Sequence, residues 1–319
     1  RGAVTRCKRA KAIPKLHDFA EKSHWTVARC VLKLSIAKKL NLRMAAAGLL
    51  SFGQEIGMDI HTLEQVLAAR RQTVRGSVSA EEWAAREDLA ACYRLCVHYR
   101  MTDMIYNHIS LKVPRTEDHF LINAFGLLYE EVTASNLIKV DIDGNLLEDD
   151  ALEANPAGFV IHSAIHRARP DLHCVFHTHT RSGVAVSAQK NGLLPISQHA
   201  MRFFNRVGYH DYEGIALDTD EQKRLVRDLG THKVLILRNH GMITAGATVR
   251  EAFEEMYYLE LACQIQIDAT ASGTPVVLPP SDVCEHAAVQ FEESNSFIKG
   301  RDWLALRRML DRKDPSYCQ

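Results

Sequence analysis

The sequence predicts an α/β domain that extends from residue 76 to residue 319. Short apolar segments with strand character cluster in the middle of the chain, and segments with helical spacing lie between and around them. The chain has 319 residues, of which 46% are hydrophobic and 24% are charged. It is therefore long enough and apolar enough to bury a large core.

The elements of the first half follow from caps, alternation and turns. Serines followed by two glutamates in GSVSAEEW are typical of a helix N-terminus, so a helix should run through EEWAAREDLAACYRLCVHYR. Another helix is predicted before it, in MDIHTLEQVLAARRQ. Strands are predicted in YNHISLKVP and HFLINAF, and NLIKVDIDGNLLE should form two short strands around the turn at Asp143-Gly144.

Prolines, glycines and caps mark the elements of the second half. PAGFVIHSAIHRARPD predicts a helix that begins at Pro156 and ends before Pro170. Helices are also predicted in SGVAVSAQKNG, in DTDEQKRLVRDLGTHK, in TVREAFEEMYYLELACQIQIDATASG with Thr248 as its cap, and in two C-terminal segments. LHCVFHTH and VLILRN predict buried strands, and GMITAGA should continue the second strand or pair with it.

Residues 1–75 are predicted to lie outside this domain. The first fifty residues contain twelve Lys or Arg against two acidic residues, Asp18 and Glu21. A basic, acid-poor segment of this kind fits an organelle presequence, an upstream translated segment, a cloning remnant or a basic contact arm. We expect a solvated extension that is poorly ordered or helical and contributes little to the core.

Composition argues against several classes of partner. The 39 Lys and Arg are balanced by 39 Asp and Glu, so charge gives no general attraction to nucleic acid or to a membrane surface. The apolar runs are too short to span a bilayer. Eight cysteines are scattered without a C-x-x-C pair, which favours a reducing compartment. We therefore expect a cytoplasmic protein with neither nucleic acid nor a membrane as partner.

Histidines stand at the ends of two predicted strands. His177 and His179 in HCVFHTHT are two residues apart, so their side chains project to the same face of a strand. His240 follows the strand VLILRN and precedes Gly241, where the backbone can turn sharply. Three imidazoles would leave one position open on a metal ion, as in catalytic zinc sites. Three buried histidines that bond to backbone are the alternative, and spacing does not decide between the two.

Two further histidines, His162 and His166, lie one turn apart on a predicted helix. This spacing occurs in metal sites, but no glutamate follows His162, so the zinc-protease motif H-E-x-x-H is not formed. We interpret both residues as packing or hydrogen-bonding histidines.

Several segments together resemble the class II aldolase/adducin family. They are HTHT, RNHG, RARPDLHCVFHTH, FLINAFGLLYEEVTASNLIKVD and GLLPISQHA, and the resemblance covers residues 82–270 in order and spacing. The ending DWLALRRMLDRKDPSY resembles the family's bacterial branch. The resemblance implies a three-layer α/β/α fold with a mostly antiparallel central sheet. It also implies homotetramers with sites between subunits, and zinc bound by His177, His179 and His240.

The chain departs from the family at the position of the catalytic carboxylate. Sugar-phosphate aldolases of the family carry this carboxylate nineteen residues before the first histidine of H-x-H, and that position is Gly158 here. A glycine transfers no proton. Tyr209, His210 and Glu213, in the segment VGYHDYEG, are therefore our candidates for a replacement acid/base group.

The phosphate-binding residues of the family are only partly retained. The resemblance assigns substrate binding to Asn107 and Ser110, in the segment NHIS, and to Gly126. Phe125 stands where the family has a threonine, and the segment NPAG lacks the family's hydroxyl residues. We therefore expect a substrate without a phosphate.

Two classes of function follow from the resemblance and its departures. The first is a zinc-dependent lyase or epimerase that acts on a small, sugar-derived hydroxy-carbonyl compound. The second is a non-catalytic oligomeric scaffold or binding protein, as in the adducin head. Retention of all three histidines favours the first class, and loss of the carboxylate favours the second.

Overall fold

The computed structural model describes residues 60–148, 152–214, 219–298 and 300–319. Asp59–Gln319 form one compact unit, so the domain begins about one helix before the predicted boundary at residue 76. Its first element, α1 (Ile60–Ser77), lies within the predicted extension. The rest of that extension lies outside the described residues.

Arg70 explains why α1 belongs to the domain. Its guanidinium donates to the backbone carbonyl oxygens of Ser135 and Leu137 at 2.9 and 2.7 Å, and it forms an ion pair with Glu148 at 2.7 Å. Val74, one turn further along, is also buried. A solvated appendage would not bury an arginine among fixed partners. The expectation of a segment that contributes little to the core is therefore corrected for residues 60–75.

Seven strands form one sheet in the described part of the chain. They are β1 (His108–Lys112), β2 (His119–Ile122), β3 (Ile138–Asp141), β4 (Cys174–Thr178), β5 (Val207–His210), β6 (Val234–Leu237) and β7 (Gly241–Gly246). Their order across the sheet is β3–β2–β1–β4–β7–β6–β5. The pair β5–β6 is parallel, and every other neighbouring pair is antiparallel.

Helices cover both faces of this sheet. After α1 the described chain contains α2 (Ala80–His98), α3 (Pro156–Ala168), α4 (Arg181–Ser187), α5 (Gln198–Met201), α6 (Thr219–Leu229), α7 (Val249–Thr270), α8 (Ser281–Ile298) and α9 (Arg301–Lys313). None of the described helices combines the length and the apolar character needed to cross a bilayer.

The sheet separates two apolar layers. On one face, residues of α2 and α7 pack against Ile109 of β1, Phe176 of β4 and Met242 of β7. On the other face, Ile165 of α3 and neighbouring residues of α6 pack against Val175 of β4. The predicted three-layer α/β/α fold with a mostly antiparallel sheet is confirmed.

Strand alternation directs the polar residues of β1 and β4 to the α3 side. Ile109 and Leu111 belong to the core beneath α2 and α7, so His108 and Ser110 project to the opposite face. His177 of β4 is the register partner of His108, and directly opposed residues of an antiparallel pair project to one face. The sheet therefore brings these polar side chains together beside α3.

Most of the predicted elements are confirmed. Ser79 and Thr248 cap α2 and α7, because each side chain accepts a hydrogen bond from a backbone N–H of the first turn. GMITAGA pairs with the preceding strand as β7. The turn at Asp143-Gly144 follows β3, but the second strand of this hairpin is reduced to one bridge at Leu146. The short elements β5 and α5 were not predicted.

Candidate metal centre

Three histidine side chains converge at one end of the sheet. Nε2 of His179 lies 2.8 Å from Nε2 of His177 and 3.0 Å from Nε2 of His240. Nitrogens that coordinate one tetrahedral zinc ion lie about 3.3 Å apart, because each bond is about 2.0–2.1 Å long. The observed spacing is slightly shorter than this value. These three side chains could therefore hold one metal ion.

Local backbone features bring the three histidines together. Thr180 caps α4 directly after His179, so His179 lies in a short link between strand and helix. His240 lies in the turn before β7. A Cβ atom on Gly241 would lie 2.3 Å from the carbonyl oxygen of Thr178, so only glycine lets this turn approach β4 so closely.

Two hydrogen bonds fix the orientation of the imidazoles. Nδ1 of His177 lies 3.0 Å from the carbonyl oxygen of Met242, which can only accept, so Nδ1 bears the proton. Nδ1 of His179 donates in the same way to the carboxylate of Asp103 at 3.0 Å. The lone pairs on the two Nε2 atoms then face each other and repel, and a cation between them removes the repulsion. The donor set thus fits a metal ion held by outer partners.

Burial keeps His177 and His240 of this site uncharged. His177 is 1% exposed, and burial, with a smaller effect of His108, holds its pKa well below the usual range. Burial, followed by His179, lowers the pKa of His240 to about 4. Neutral imidazoles retain the lone pairs that metal binding requires at neutral pH. His179 and His240 are partly exposed, so a ligand can reach the site from solvent.

A chain of hydrogen bonds beneath α3 begins at His108, whose ring packs against the ring of His177. The ring centroids of His108 and His177 are 5.0 Å apart. Nδ1 of His108 lies 2.7 Å from Nε2 of His162. Oγ of Ser110 lies 2.6 Å from Nδ1 of His162 and 2.7 Å from Nε2 of His166. The interpretation of His162 and His166 as hydrogen-bonding histidines is confirmed.

The three residues that were predicted to bind substrate differ in their surroundings. Ser110 is buried, and both of its hydroxyl contacts are imidazoles, so its contact with a ligand stays a prediction. Asn107 accepts a hydrogen bond from the backbone N–H of His179 at 3.2 Å and thereby positions that histidine. Gly126 has a φ of +98° and open space beside it, next to the partly exposed Phe125.

Tyr209 is not brought to the three histidines by any contact of the described residues. Its hydroxyl accepts a hydrogen bond from the N–H of Leu193 at 3.0 Å, and the guanidinium of Arg238 lies over its ring. It lines a separate cavity with residues such as Phe203.

His210 and Glu213 share a small cavity with His240. His210 is buried, with Nδ1 2.8 Å from Asp228 and Nε2 3.4 Å from Glu221, the latter too poorly aligned for a hydrogen bond. Glu213 forms an ion pair with a neighbouring arginine. Whether His210 or Glu213 acts in catalysis stays a prediction.

Three residues beside the site were not predicted from the sequence. Asp103 orients His179, His108 contacts His177, and the ring centroid of Tyr212 lies 6.3 Å from that of His240. No spacing in the sequence links Asp103 to H-x-H. His108 could have been found, because it alternates with apolar residues on a strand that begins near the site.

The fold and the three histidines define a recognisable class of protein. A family profile described as the Class II Aldolase and Adducin N-terminal domain matches residues 87–267, which is more than half of the chain. The chain belongs to this family.

The proteins that are similar to this chain include an aldolase and an adducin. The crystal structure of an aldolase II superfamily protein from Pseudomonas syringae is 54% identical, with a TM-score of 0.73, and the match covers 77% of this chain and 99% of that one. L-fuculose 1-phosphate aldolase from Glaciozyma antarctica PI12 is 25% identical, with a TM-score of 0.66 and coverage of 79% and 98%. Alpha-adducin of Rattus norvegicus is 49% identical over 188 residues, which are 58% of this chain and 25% of alpha-adducin.

Proposed function

We propose that the chain is a zinc-dependent lyase or epimerase that acts on a small hydroxy-carbonyl compound without a phosphate. One observation carries the proposal: Nε2 atoms of three histidines converge, and Met242 and Asp103 hold two of these lone pairs toward each other. Imidazoles that only fill a core share protons with their partners, whereas facing lone pairs favour a cation. When bound, zinc supplies Lewis acidity that polarises a substrate carbonyl.

The cavity beside His240 is our proposed source of the proton-transfer group. His210, Tyr212 and Glu213 line this cavity together with His240. Tyr209 was predicted as a third candidate, but its hydroxyl is engaged by Leu193, so Tyr212 replaces it in the proposal. Tyr212→Phe should lower kcat, and Tyr209→Phe should not.

The polar groups available near the site support a substrate without a phosphate. The hydroxyl of Ser110 is enclosed between two imidazoles, and the side-chain oxygen of Asn107 accepts from the backbone of His179. Ser110 can therefore not donate to a phosphate oxygen without giving up an internal hydrogen bond, and Asn107 already donates one Nδ2 proton to the carbonyl oxygen of Met101 at 3.4 Å. Phe125 adds an apolar side chain where the family's aldolases have a hydroxyl.

Metal analysis tests the proposal directly. The purified full chain should contain about one zinc per subunit, and His177→Ala, His179→Ala and His240→Ala should each remove most of it. His173→Ala, an exposed imidazole just before β4, serves as the matched control and should retain the metal. A wild-type chain without divalent metal, also after dialysis against zinc, would sink the proposal.

We also propose a homo-oligomer, most simply a tetramer, with the site near a subunit contact. The loop that carries Asp103 and Asn107 exposes two large apolar side chains, Met104 and Tyr106, at 69% and 50%. Apolar groups beside a site are suited to cover by another subunit. Sedimentation should give a tetramer at micromolar concentration, and a monomer would contradict this part of the proposal.

A cytoplasmic location is part of the proposal as well. The six cysteines within the described residues are all free thiols. Unpaired thiols in this number are typical of proteins kept in a reducing compartment. Fractionation of the cells that produce the chain would test the location.

An adducin-type scaffold is the second candidate. The observation that favours it is Gly158, because no carboxylate stands where the family's aldolases place one, together with the similarity to alpha-adducin. The two candidates differ in turnover. A zinc-loaded chain that converts nothing in a broad screen of aldol cleavage and epimerisation would favour the scaffold.

A further inference from the structure

The side chain of His108 takes up the space beside position 158. A Cβ atom on Gly158 would lie 2.5 Å from Cδ2 and 2.7 Å from Nε2 of the His108 ring. Atoms cannot approach this closely, so any larger residue at position 158 would displace the imidazole. The imidazole of His108 therefore occupies the space that a side chain at position 158, such as the family's carboxylate, would need.

The hydrogen-bond chain determines which nitrogen of His108 bears the proton. The carbonyl oxygen of Leu172 can only accept, so Nδ1 of His166 donates to it and Nε2 of His166 accepts from the hydroxyl of Ser110. Ser110 has then used its proton and accepts from Nδ1 of His162. Nε2 of His162 in turn accepts from Nδ1 of His108. This assignment follows from the network and leaves a lone pair on Nε2 of His108.

The ring that carries this lone pair packs against His177 of the proposed metal site. His108 is 3% exposed, no hydrogen bond among the described residues ends on its Nε2, and this atom is not one of those sealed from solvent. The ring stands 5.0 Å from the ring of His177 and pairs with it across β1 and β4. A small ligand on the three histidines would therefore lie within reach of an acceptor of fixed orientation.

We propose that His108 is a specificity-determining residue whose Nε2 accepts a hydrogen bond from a hydroxyl group of the ligand. The ligand class is then a small α-hydroxy carbonyl compound or α-hydroxy acid, with its other oxygen at the three histidines. An ionised phosphate or carboxylate oxygen has no proton to donate and would meet the lone pair of His108 with its own. The inference rests on the proposed function, because the second oxygen needs a metal at His177, His179 and His240.

Two probes that differ by one hydroxyl group test the inference. Calorimetry measures the dissociation constants of glycolate and acetate on the zinc-loaded full chain, and the ratio of acetate to glycolate is compared between variants. Any direct contact of the hydroxyl with zinc is common to all variants and cancels in this comparison. His108→Phe should lower the ratio about three- to tenfold, the value of one neutral hydrogen bond. His108→Gln, which restores an acceptor, should regain part of the loss.

Two more variants separate a ligand contact from a structural role. Gly158→Ala displaces the imidazole without removing it and should also lower the ratio. His173→Phe makes the same substitution at an exposed imidazole and should leave the ratio unchanged. If His108→Phe does not fold, His108→Gln and Gly158→Ala decide the question.

Zinc content is measured for every variant. Wild-type chain without zinc would overturn the proposed function and this inference with it. Zinc at full occupancy, with a ratio unchanged in the folded variants His108→Phe and Gly158→Ala, would overturn the inference alone.

Discussion

Replacing Asp103 with alanine should weaken zinc binding about tenfold. Oδ2 of Asp103 accepts the Nδ1 proton of His179 at 3.0 Å, which keeps Nε2 of that histidine turned toward the site. Loss of such an outer partner commonly costs about 10- to 100-fold in metal affinity, or about 1.4–2.8 kcal/mol. The Asp103 side chain is 43% exposed, so water can replace part of its contact. We therefore expect the lower end of this range.

The assay is a competition for zinc between the metal-free full chain and a chromophoric chelator of known affinity, at neutral pH. Asp103→Asn keeps an acceptor oxygen but loses the charge, so its dissociation constant should lie between those of the wild type and Asp103→Ala. Asp118→Asn changes an exposed acidic residue in another loop and should bind zinc like the wild type.

An unchanged dissociation constant in Asp103→Ala, with an unchanged circular dichroism spectrum, would refute the reasoning. It would mean that packing alone orients His179, or that zinc is not bound through Nε2 of this residue.

Three further predictions concern the boundary of the domain, acid stability and position 158. Removing residues 1–58 should leave a folded chain, whereas removing α1 as well should lower the midpoint of thermal unfolding, because the anchored Arg70 is lost; equal midpoints would contradict this. Burial lowers the pKa of His166 to about 3 in the folded chain, whereas its pKa in the unfolded chain is 6.5. Between these two values only the unfolded chain takes up the proton. The free energy of unfolding therefore falls as the pH is lowered through this range. The loss should reach about 2–3 kcal/mol near pH ~4.5, and urea titrations of His166→Gln should show a flatter dependence on pH. Gly158→Glu alone should not produce turnover of fuculose- or rhamnulose-phosphate-type substrates, because the carboxylate must displace His108; rates of about 1–10³ s⁻¹ would contradict this.

Local patterns placed the three histidines at strand ends, and the resemblance to the family predicted that they form one site. The spacing of H-x-H on a buried strand determined that His177 and His179 share a region, and Gly241 marked the sharp approach of His240. Caps such as Thr248 marked the helix boundaries in the same way, because a side chain that caps a helix acts within four residues of itself. These features depend on neighbours in sequence, and periodicity and spacing therefore report them.

The features that were missed depend on packing between distant segments. Asp103 meets His179 only because the loop before β1 folds over the end of β4, and nothing in the sequence of that loop specifies the contact. Ser110 was assigned to the ligand from the resemblance to the family, and its two imidazole partners were not foreseen because they become neighbours only when α3 packs on β1. The strand β5 was missed because four residues that include Gly208 give too short a pattern.

Gly158 and His108 are fifty residues apart in the sequence, but because they are in contact, the side chain at each position limits the size of the other. A lineage that regains a large residue at position 158 while it keeps the imidazole passes through an overpacked intermediate, which commonly costs about 1–3 kcal/mol. A lineage that loses the imidazole first leaves a void beside the glycine and leaves His162 without its partner on β1. The two residues should therefore change together among related chains. The residue at position 108 would then distinguish relatives that have a carboxylate at position 158 from relatives that have an imidazole at position 108.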